Sequence, residues 1–464
     1  MCHARRHTAY PLALQVCRAA GLTPAPRGGV ISQAKGTHTV NDIVDELQWR
    51  GSVALTTDET ALREALASGP ITAYCGFDPT APSLHFGNLV QLIVLRRLQR
   101  AGHRVICLVG GSTGLIGDPK PTSERVLKTK DEAAANVARI KELVRPFLDF
   151  DGTDPACEHP AILVNNLDWT EPMSALDFLR DIGKHFRVNQ MVRKEAVARR
   201  LDSQEGISYT EFSYQLLQAL DFLELFRAHG CTLQTGGSDQ WGNLTAGVDL
   251  IHRVEGVGVH ALATPLLTDA SGSKFGKSEG NAIWLSADMT SPYALYQYFL
   301  NVEDASVVAL LRVFTDLDRD EIAEFERQVQ QEPFRRAAQK ELASFITTLA
   351  HGATATASVQ AASEAIFGKG DLGALDAGTW RDASAELPHG EVPVGASVVD
   401  ALVATGLAES RNGARRLVAD GGVSVNNVKV SDPETVLTTE DFLHGYAVLL
   451  RRGRKAQAAA RLAG

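Results

Sequence analysis

The chain has 464 residues, of which 44% are hydrophobic and 22% charged, and a net charge of −9. Values this near the globular mean exclude collagen-like, fully disordered and disulfide-scaffold proteins, and leave room for two to four domains of roughly 100–200 residues. The negative balance excludes a surface coated throughout in positive charge but leaves a local nucleic-acid patch open. The six cysteines, at 2, 17, 75, 107, 157 and 231, include no C-x-x-C pair, which argues against a zinc ribbon, and their absence from the second half suits a reducing compartment. No uncharged apolar run reaches the roughly 18 residues that span a membrane.

In chain order, residues 1–41 contain no Asp or Glu but carry Arg5, Arg6, Arg18, Arg27 and Lys35. Such a leader (1–40) reads either as a disordered extension or an upstream start codon placed too early, both placing the protein in the cytoplasm, or as a transit peptide for organellar import. From Asn41, Val44, Leu47 and Val53 begin a helical pattern. Ile71–Phe77 reads as a buried strand stopped by the turn Asp78-Pro-Thr80, and Leu89–Leu98 as a helix with Arg96 and Arg97 on its polar face. Arg104–Val109, Ala161–Asn165 and Cys231–Thr235 read as three more strands. Strands alternating with helices and Gly-rich turns predict a doubly wound parallel α/β sheet over 41–266. Residues 267–290 read as a mobile loop region, 291–367 as an α-helical domain, 368–393 as a linker rich in Gly, Asp and Pro, and 394–464 as a small α+β unit with helices at Val398–Thr405 and Ser410–Asp420.

Two segments carry the chemistry. The first is Asp78-Pro-Thr80-Ala-Pro-Ser-Leu-His85-Phe-Gly87-Asn88, at the junction of strand and helix. A helix N-terminus suits phosphate, His85 and Asn88 lie on one side of its first turn, and Gly87 leaves room for a flat base. The second is Ser271-Gly-Ser-Lys274-Phe-Gly-Lys277-Ser278, two lysines three apart among glycines, a basic clamp for a polyphosphate. Taken singly, each could be an ordinary cap or a solvated turn. Gly110-Gly-Ser-Thr113-Gly-Leu-Ile-Gly-Asp118 has the wrong spacing for a dinucleotide fingerprint and no G-K-S/T for a P-loop. Tyr214, Gln218 and Asp221 fall on one helical stripe amid Phe212, Leu216, Leu217, Leu220 and Phe222, where polar groups need a reason to point inward. His103, His185, His229 and His252 have no companions at metal-ligand spacing, so no bound metal is expected.

His85-Phe-Gly-Asn88 resembles the HIGH motif of class I aminoacyl-tRNA synthetases, and Lys274-Phe-Gly-Lys-Ser278 resembles their KMSKS loop. With YCGFDPTAPSLHFGN, LVGGSTGLIGDP, TEFSYQLLQALDF and GGSDQWGN, the chain from about residue 42 resembles bacterial-type tyrosyl-tRNA synthetases, and Val398–Arg452 resembles the ribosomal-protein-S-four type of RNA-binding domain. Each motif has a departure: Asn88 stands where HIGH ends in His, and Phe275-Gly276 stand for Met-Ser. The resemblance implies a Rossmann-like catalytic domain that activates tyrosine with ATP·Mg²⁺ and transfers it to the 3′ end of tRNA(Tyr), in a homodimer without membrane attachment.

It further implies that Thr80, His85, Asn88, Lys274, Lys277 and Ser278 act on the phosphates, and that Gly87, Gly237 and Asp239 hold the rest of ATP. Asp118, with Thr113 beside it, and Tyr214 and Gln218 would take the tyrosine ammonium. Asp221 and Tyr74 would take its phenol, Gly76, Asp78 and Gln234 would complete that pocket, and Gln240 would lie over the reacting carboxylate. Arg125 would add a contact to pyrophosphate, while Lys120 receives no role. The tail from 394 carries nine Arg or Lys (Arg411, Arg415, Arg416, Lys429, Arg451, Arg452, Arg454, Lys455, Arg461) against seven acids, a local +2 that fits a phosphate-binding patch. The rivals are a tryptophanyl enzyme, against which the tail and the Tyr74/Asp221 pair stand, and a non-catalytic RNA-binding protein on the same fold.

Overall fold

A computed structural model describes residues 42–119, 126–204, 206–268, 275–278, 281–368, 370–453 and 456–463, with the backbone alone at 195, 196, 277, 278 and 281. The leader, Lys120, Arg125, Lys274, Arg454 and Lys455 lie outside the described residues.

The central sheet contains β1 (Leu55–Thr56), β2 (Thr72–Phe77), β3 (Arg104–Val109), β4 (Ile162–Asn165), β5 (Cys231–Gly237) and β6 (His260–Thr264), in the order β1-β6-β5-β2-β3-β4. Strands β2 to β6 run parallel, and β1 adds a short antiparallel edge. The sequence pattern predicts four of these strands and a purely parallel sheet. It misses β6, where two alanines dilute the apolar signal, and the two-residue β1. The chain leaves β2 first toward β3 and β4 and later returns to the other side through β5 and β6. The order therefore reverses between β2 and β5, and a crevice opens there at the carboxyl ends of the strands.

The helix Phe86–Arg100 follows β2 and is buried almost all round, with Leu89, Leu92, Val94, Leu95 and Leu98 fully enclosed. Arg97 is buried too, contrary to the polar face expected for it. Its guanidinium donates to the carbonyls of Val313 (2.6 Å), Thr315 (2.9 Å) and Arg312 (3.3 Å), and Arg50 donates to those of Arg312, Thr315 and Leu317. The carbonyls that end the helix Asp304–Phe314 have no following turn of the helix to donate to them, and they draw both cations inward. Burial, and then the like charge of Arg50, pull Arg97 down to about 9.

Beyond the sheet, the loop region 267–290 contains the small hairpin of β7 (Lys277–Ser278) and β8 (Asn281–Ala282). The helices Pro292–Leu300, Asp304–Phe314, Arg319–Gln331 and Ala337–Ile366 follow, the last broken at Gly352, whose φ is 85°. A second sheet, ordered β11-β10-β12-β13-β9, is built from β9 (His389–Val392), β10 (Val423–Val425), β11 (Val428–Val430), β12 (Ala447–Arg452) and β13 (Ala456–Leu462). The helices Val398–Ala404 and Arg411–Ala419 share its core. Asn426 and Asn427, at φ 45° and 66°, make the two-residue turn between β10 and β11.

The segment 368–393 is folded and is not the expected linker. It contains the helix Ala377–Ala385 and β9, which pairs in parallel with β13. Two of its three aspartates are caps: Asp376 accepts from the Thr379 N–H and Asp371 from the Gly373 N–H. Trp380 is fully buried. Trp380→Ala is therefore expected to destabilise the protein by about 3–5 kcal/mol, read as a lower urea midpoint. An unchanged midpoint would restore the linker.

Candidate active site

The crevice is a cavity of about 600 Å³. The last residues of β2 supply Tyr74 and Gly76, and the turn after it supplies Asp78 and Thr80. The start of the next helix supplies His85, Gly87 and Asn88. Thr113 and Asp118 come from the loop after β3, and Tyr214, Gln218 and Asp221 from one stripe of the helix Tyr209–His229. Gln234, Gly237, Asp239 and Gln240 come from β5 and the turn beyond it. All sixteen line this one cavity.

At its deep end, Asp221 is 3% exposed. One of its oxygens accepts from Asn166 Nδ2 and the other from Trp169 Nε1, each at 3.0 Å. Burial pushes this carboxyl up to about 8 against the pull of those two donors. Tyr74 faces the same space at 1% exposure, and its hydroxyl has no hydrogen-bond partner among the described residues. Burial first, and then the charge of Asp221, raise the Tyr74 phenol well above its usual range. The side-chain oxygen of Gln234, 2% exposed, is likewise without a partner.

A second carboxylate, Asp78, accepts from Thr113 Oγ1 at 2.6 Å and from the Tyr214 hydroxyl at 2.7 Å. Thr113 is thus bonded to Asp78, whereas the sequence reading sets it beside Asp118. Asn166 links the two acids, since its Nδ2 also donates to Thr113 Oγ1 at 3.0 Å. Its own Oδ1 accepts from the Ser112 N–H at 2.7 Å, which fixes the orientation of the amide. Asp118 accepts from Gln240 Nε2 at 2.9 Å and from Asn243 Nδ2 at 3.0 Å.

Toward the mouth, His85 precedes the helix Phe86–Arg100 as its N-cap residue, and Asn88 Oδ1 accepts from the His85 N–H at 3.2 Å. A side chain at position 87 would strike the His85 ring at 2.9 Å, so Gly87 makes room first for that imidazole. The segment after the hairpin of β7 and β8 pairs with this one: Phe86 N–H donates to Ile283 O at 2.8 Å and Leu285 N–H to Leu84 O at 2.9 Å. The Phe275 ring lies 5.4 Å from that of Phe86, and Gly276, at φ 90°, would bring a Cβ within 3.0 Å of Phe86. The two letters by which this loop departs from KMSKS are therefore the two that seat it on the HIGH-like helix. The backbones of Lys277 and Ser278 form β7, whereas their side chains, like Lys274, lie outside the described residues.

Sequence reasoning missed Asn166, Trp169, Asn243 and Lys194. Asn166 had a usable signal, because it follows β4 at the carboxyl edge where open α/β sheets bind ligands. Asn243 stands inside the quoted GGSDQWGN. Trp169 and Lys194 carry no local signal. Among the described residues, no three His, Cys, Asp or Glu gather where they could hold a metal ion.

A family described as tRNA synthetases class I (W and Y) matches residues 66–368, and a tyrosine–tRNA ligase SYY-like C-terminal domain matches 381–459. The chain is 57% identical to a tyrosine–tRNA ligase of Streptomyces coelicolor over 426 residues, covering 92% of this chain and 100% of the other. It is 53% identical to that of Mycobacterium bovis over 416 residues, covering 89% and 97%. Among solved structures, a C-terminally truncated mitochondrial tyrosyl-tRNA synthetase of Aspergillus nidulans superimposes with a TM-score of 0.62 at 31% identity, covering 68% of this chain and 92% of that one. The chain belongs to the class I tRNA synthetases, in their tyrosine–tRNA ligase family.

Proposed function

We propose that this enzyme activates tyrosine with ATP and passes the tyrosyl group to the 3′ end of tRNA(Tyr). One observation carries the choice of amino acid: a buried carboxylate, Asp221, and a buried hydroxyl without a partner, Tyr74, face the same end of the cavity. A phenol hydroxyl is both donor and acceptor. It satisfies both groups at once, accepting from Tyr74 and donating to Asp221. The indole of tryptophan offers only a donor, and phenylalanine offers neither. The tyrosine ammonium is held among Asp78, Asp118, Tyr214 and Gln218.

Gln234 supports this pocket, and Gly76 lets the substrate pass close to β2. Gly237 and Asp239 hold the ATP ribose. Thr80, His85 and Asn88, with Lys274, Lys277 and Ser278 from the loop, meet the phosphates of ATP·Mg²⁺. The tyrosine carboxylate attacks the α-phosphorus, a mixed anhydride forms, and pyrophosphate leaves. No proton moves from the nucleophile, so the residues position the reactants and stabilise phosphate charge. A terminal ribose hydroxyl of tRNA then attacks the carbonyl and AMP leaves. The basic tail supports tRNA binding, although Arg411 and Arg415 are partly engaged with Asp400 and Glu434. No helix among the described residues is long and apolar enough to cross a membrane, and the reading places the enzyme in the cytoplasm.

Pyrophosphate exchange with tyrosine and phenylalanine, compared as kcat/KM, tests the substrate. Asp221→Ala is expected to lower the tyrosine preference by about 100-fold, the cost of leaving a buried polar group without its partner. The added Tyr74→Phe change should remove most of what remains. An unchanged ratio in Asp221→Ala would place the phenol elsewhere.

The same carboxyl sets a pH dependence. Asp221 binds its proton more tightly folded, at about 8, than at its ordinary 3.8. Its contribution to stability is therefore complete below pH 4 and is lost as the pH climbs to about 8. Without tyrosine, the thermal midpoint of the wild type should fall relative to that of Asp221→Asn between pH 5 and 8.5. Parallel curves would show an ordinary ionised carboxylate.

A homodimer fits an apolar groove of about 330 Å³ lined by Leu179, Phe186, Val188, Met191 and Tyr209, of which Val188 and Tyr209 are 63% and 68% exposed. Leu176, close in sequence, is 79% exposed. An apolar patch of this kind marks a protein interface. Val188→Asp is expected to halve the sedimenting mass. A dimer that survives the change would place the contact on another face.

A further inference from the structure

Lys194 precedes the helix Glu195–Leu201 and turns inward. Its ammonium donates to Asn243 Oδ1 at 2.8 Å. Asn243 spends both hydrogens of its Nδ2, one on Asp118 Oδ1 at 3.0 Å and one on Gln240 Oε1 at 2.8 Å. Gln240 in turn points its Nε2 at Asp118 Oδ2, at 2.9 Å. Amide oxygen and nitrogen can exchange places by a half-turn, so a ring of two amides and a carboxylate has two polarities. In the wrong one, amide oxygens face the carboxylate. An ammonium has donors and no acceptor, so it admits only one orientation of Asn243, and Asn243 then admits only one of Gln240.

We propose that Lys194 is a positioning residue for tyrosine activation: acting through Asn243, it fixes the amide of Gln240 with its nitrogen toward Asp118 and the reacting carboxylate. This rests on the reading in which Asp118 and Gln240 contact tyrosine. One N–H of Gln240 holds Asp118, and the second remains for the substrate carboxylate. Gly242 is part of the device, because a Cβ there would lie 3.0 Å from Lys194 Cε. Burial draws the lysine down to about 7 while the charge of Asp118 pulls it back up, so the orientation is enforced by the ammonium form, below that pH.

The test is tyrosine-dependent pyrophosphate exchange, with tRNA charging and thermal midpoint measured alongside. Lys194→Met, nearly isosteric, is expected to lower kcat/KM for tyrosine about tenfold and leave the KM for ATP within twofold, the loss of one fixed hydrogen bond to charge. Asn243→Ala should do the same. The double variant Lys194→Met/Asn243→Ala should be no worse than Asn243→Ala alone, a non-additivity that a general loss of structure would not produce. Gly242→Ala, which crowds the lysine without removing it, should repeat the Lys194→Met signature.

A wild-type kcat/KM for tyrosine in Lys194→Met overturns the proposal, as does a loss confined to the tRNA step or a double variant in which the two losses multiply. Asp118→Ala separates the two levels. If it leaves the KM for tyrosine unchanged, the pocket reading fails. If it raises that KM while Lys194→Met does nothing, only the proposal fails.

Discussion

Two carboxylates, the buried Asp221 and the half-buried Asp78, stand at the carboxyl edge of the sheet, and the rest of the pocket is arranged to hold them there. Isolated, either would be expensive to bury. One chain of hydrogen bonds makes it possible: Tyr214 and Thr113 to Asp78, Asn166 to Thr113 and Asp221, and Trp169 to Asp221. It joins the end of β2, the loops after β3 and β4, and the helix Tyr209–His229. Four elements must be in register for it to close, which makes the pocket a consequence of the fold. It also leaves Asp221 accepting from two neutral donors with no cation paired to it among the described residues, so a substrate donor has energy to gain there.

The second constraint is geometric. The HIGH-like and KMSKS-like segments are almost two hundred residues apart, yet they meet through backbone pairing of Leu84 and Phe86 with Leu285 and Ile283 and through the contact of Phe275 with Phe86. Phe86 also packs against Phe299 and Phe314 from the helices beyond, with ring centres 5.1 and 4.7 Å away. Further along the same helix, Arg97 holds the carbonyls that end Asp304–Phe314. A single helix therefore presents His85 and Asn88 at its start and is anchored to the helical region at both ends. A change in that region has a direct mechanical route to the phosphate-facing turn.

The parts of this arrangement legible in the sequence are those where chemistry and pattern coincide. Tyr214, Gln218 and Asp221 stand out because polar groups recur at helical spacing in an apolar run, and the turn after β2 because Asp-Pro-Thr ends a strand. The illegible parts depend on distant partners. Arg97 looks like a surface arginine until the carbonyls of Val313 and Thr315 are brought to it. Trp169 and Lys194 carry no local signal, because each acts on a residue about fifty positions away. The capping aspartates of 368–393 look like linker composition, since caps and loops draw on the same residues. β6 was lost because alanine contributes little to an apolar pattern.

The account turns on where the phenol sits. A crystal structure with tyrosine, or with a non-hydrolysable tyrosyl-adenylate, tests this most directly. The account predicts the phenolic oxygen within hydrogen-bond distance of both the Tyr74 hydroxyl and an Asp221 oxygen, with the bonds from Asn166 and Trp169 to Asp221 still in place. A phenol bound elsewhere in the cavity, or an Asp221 side chain turned away from Asn166 and Trp169 to meet it, would contradict the account.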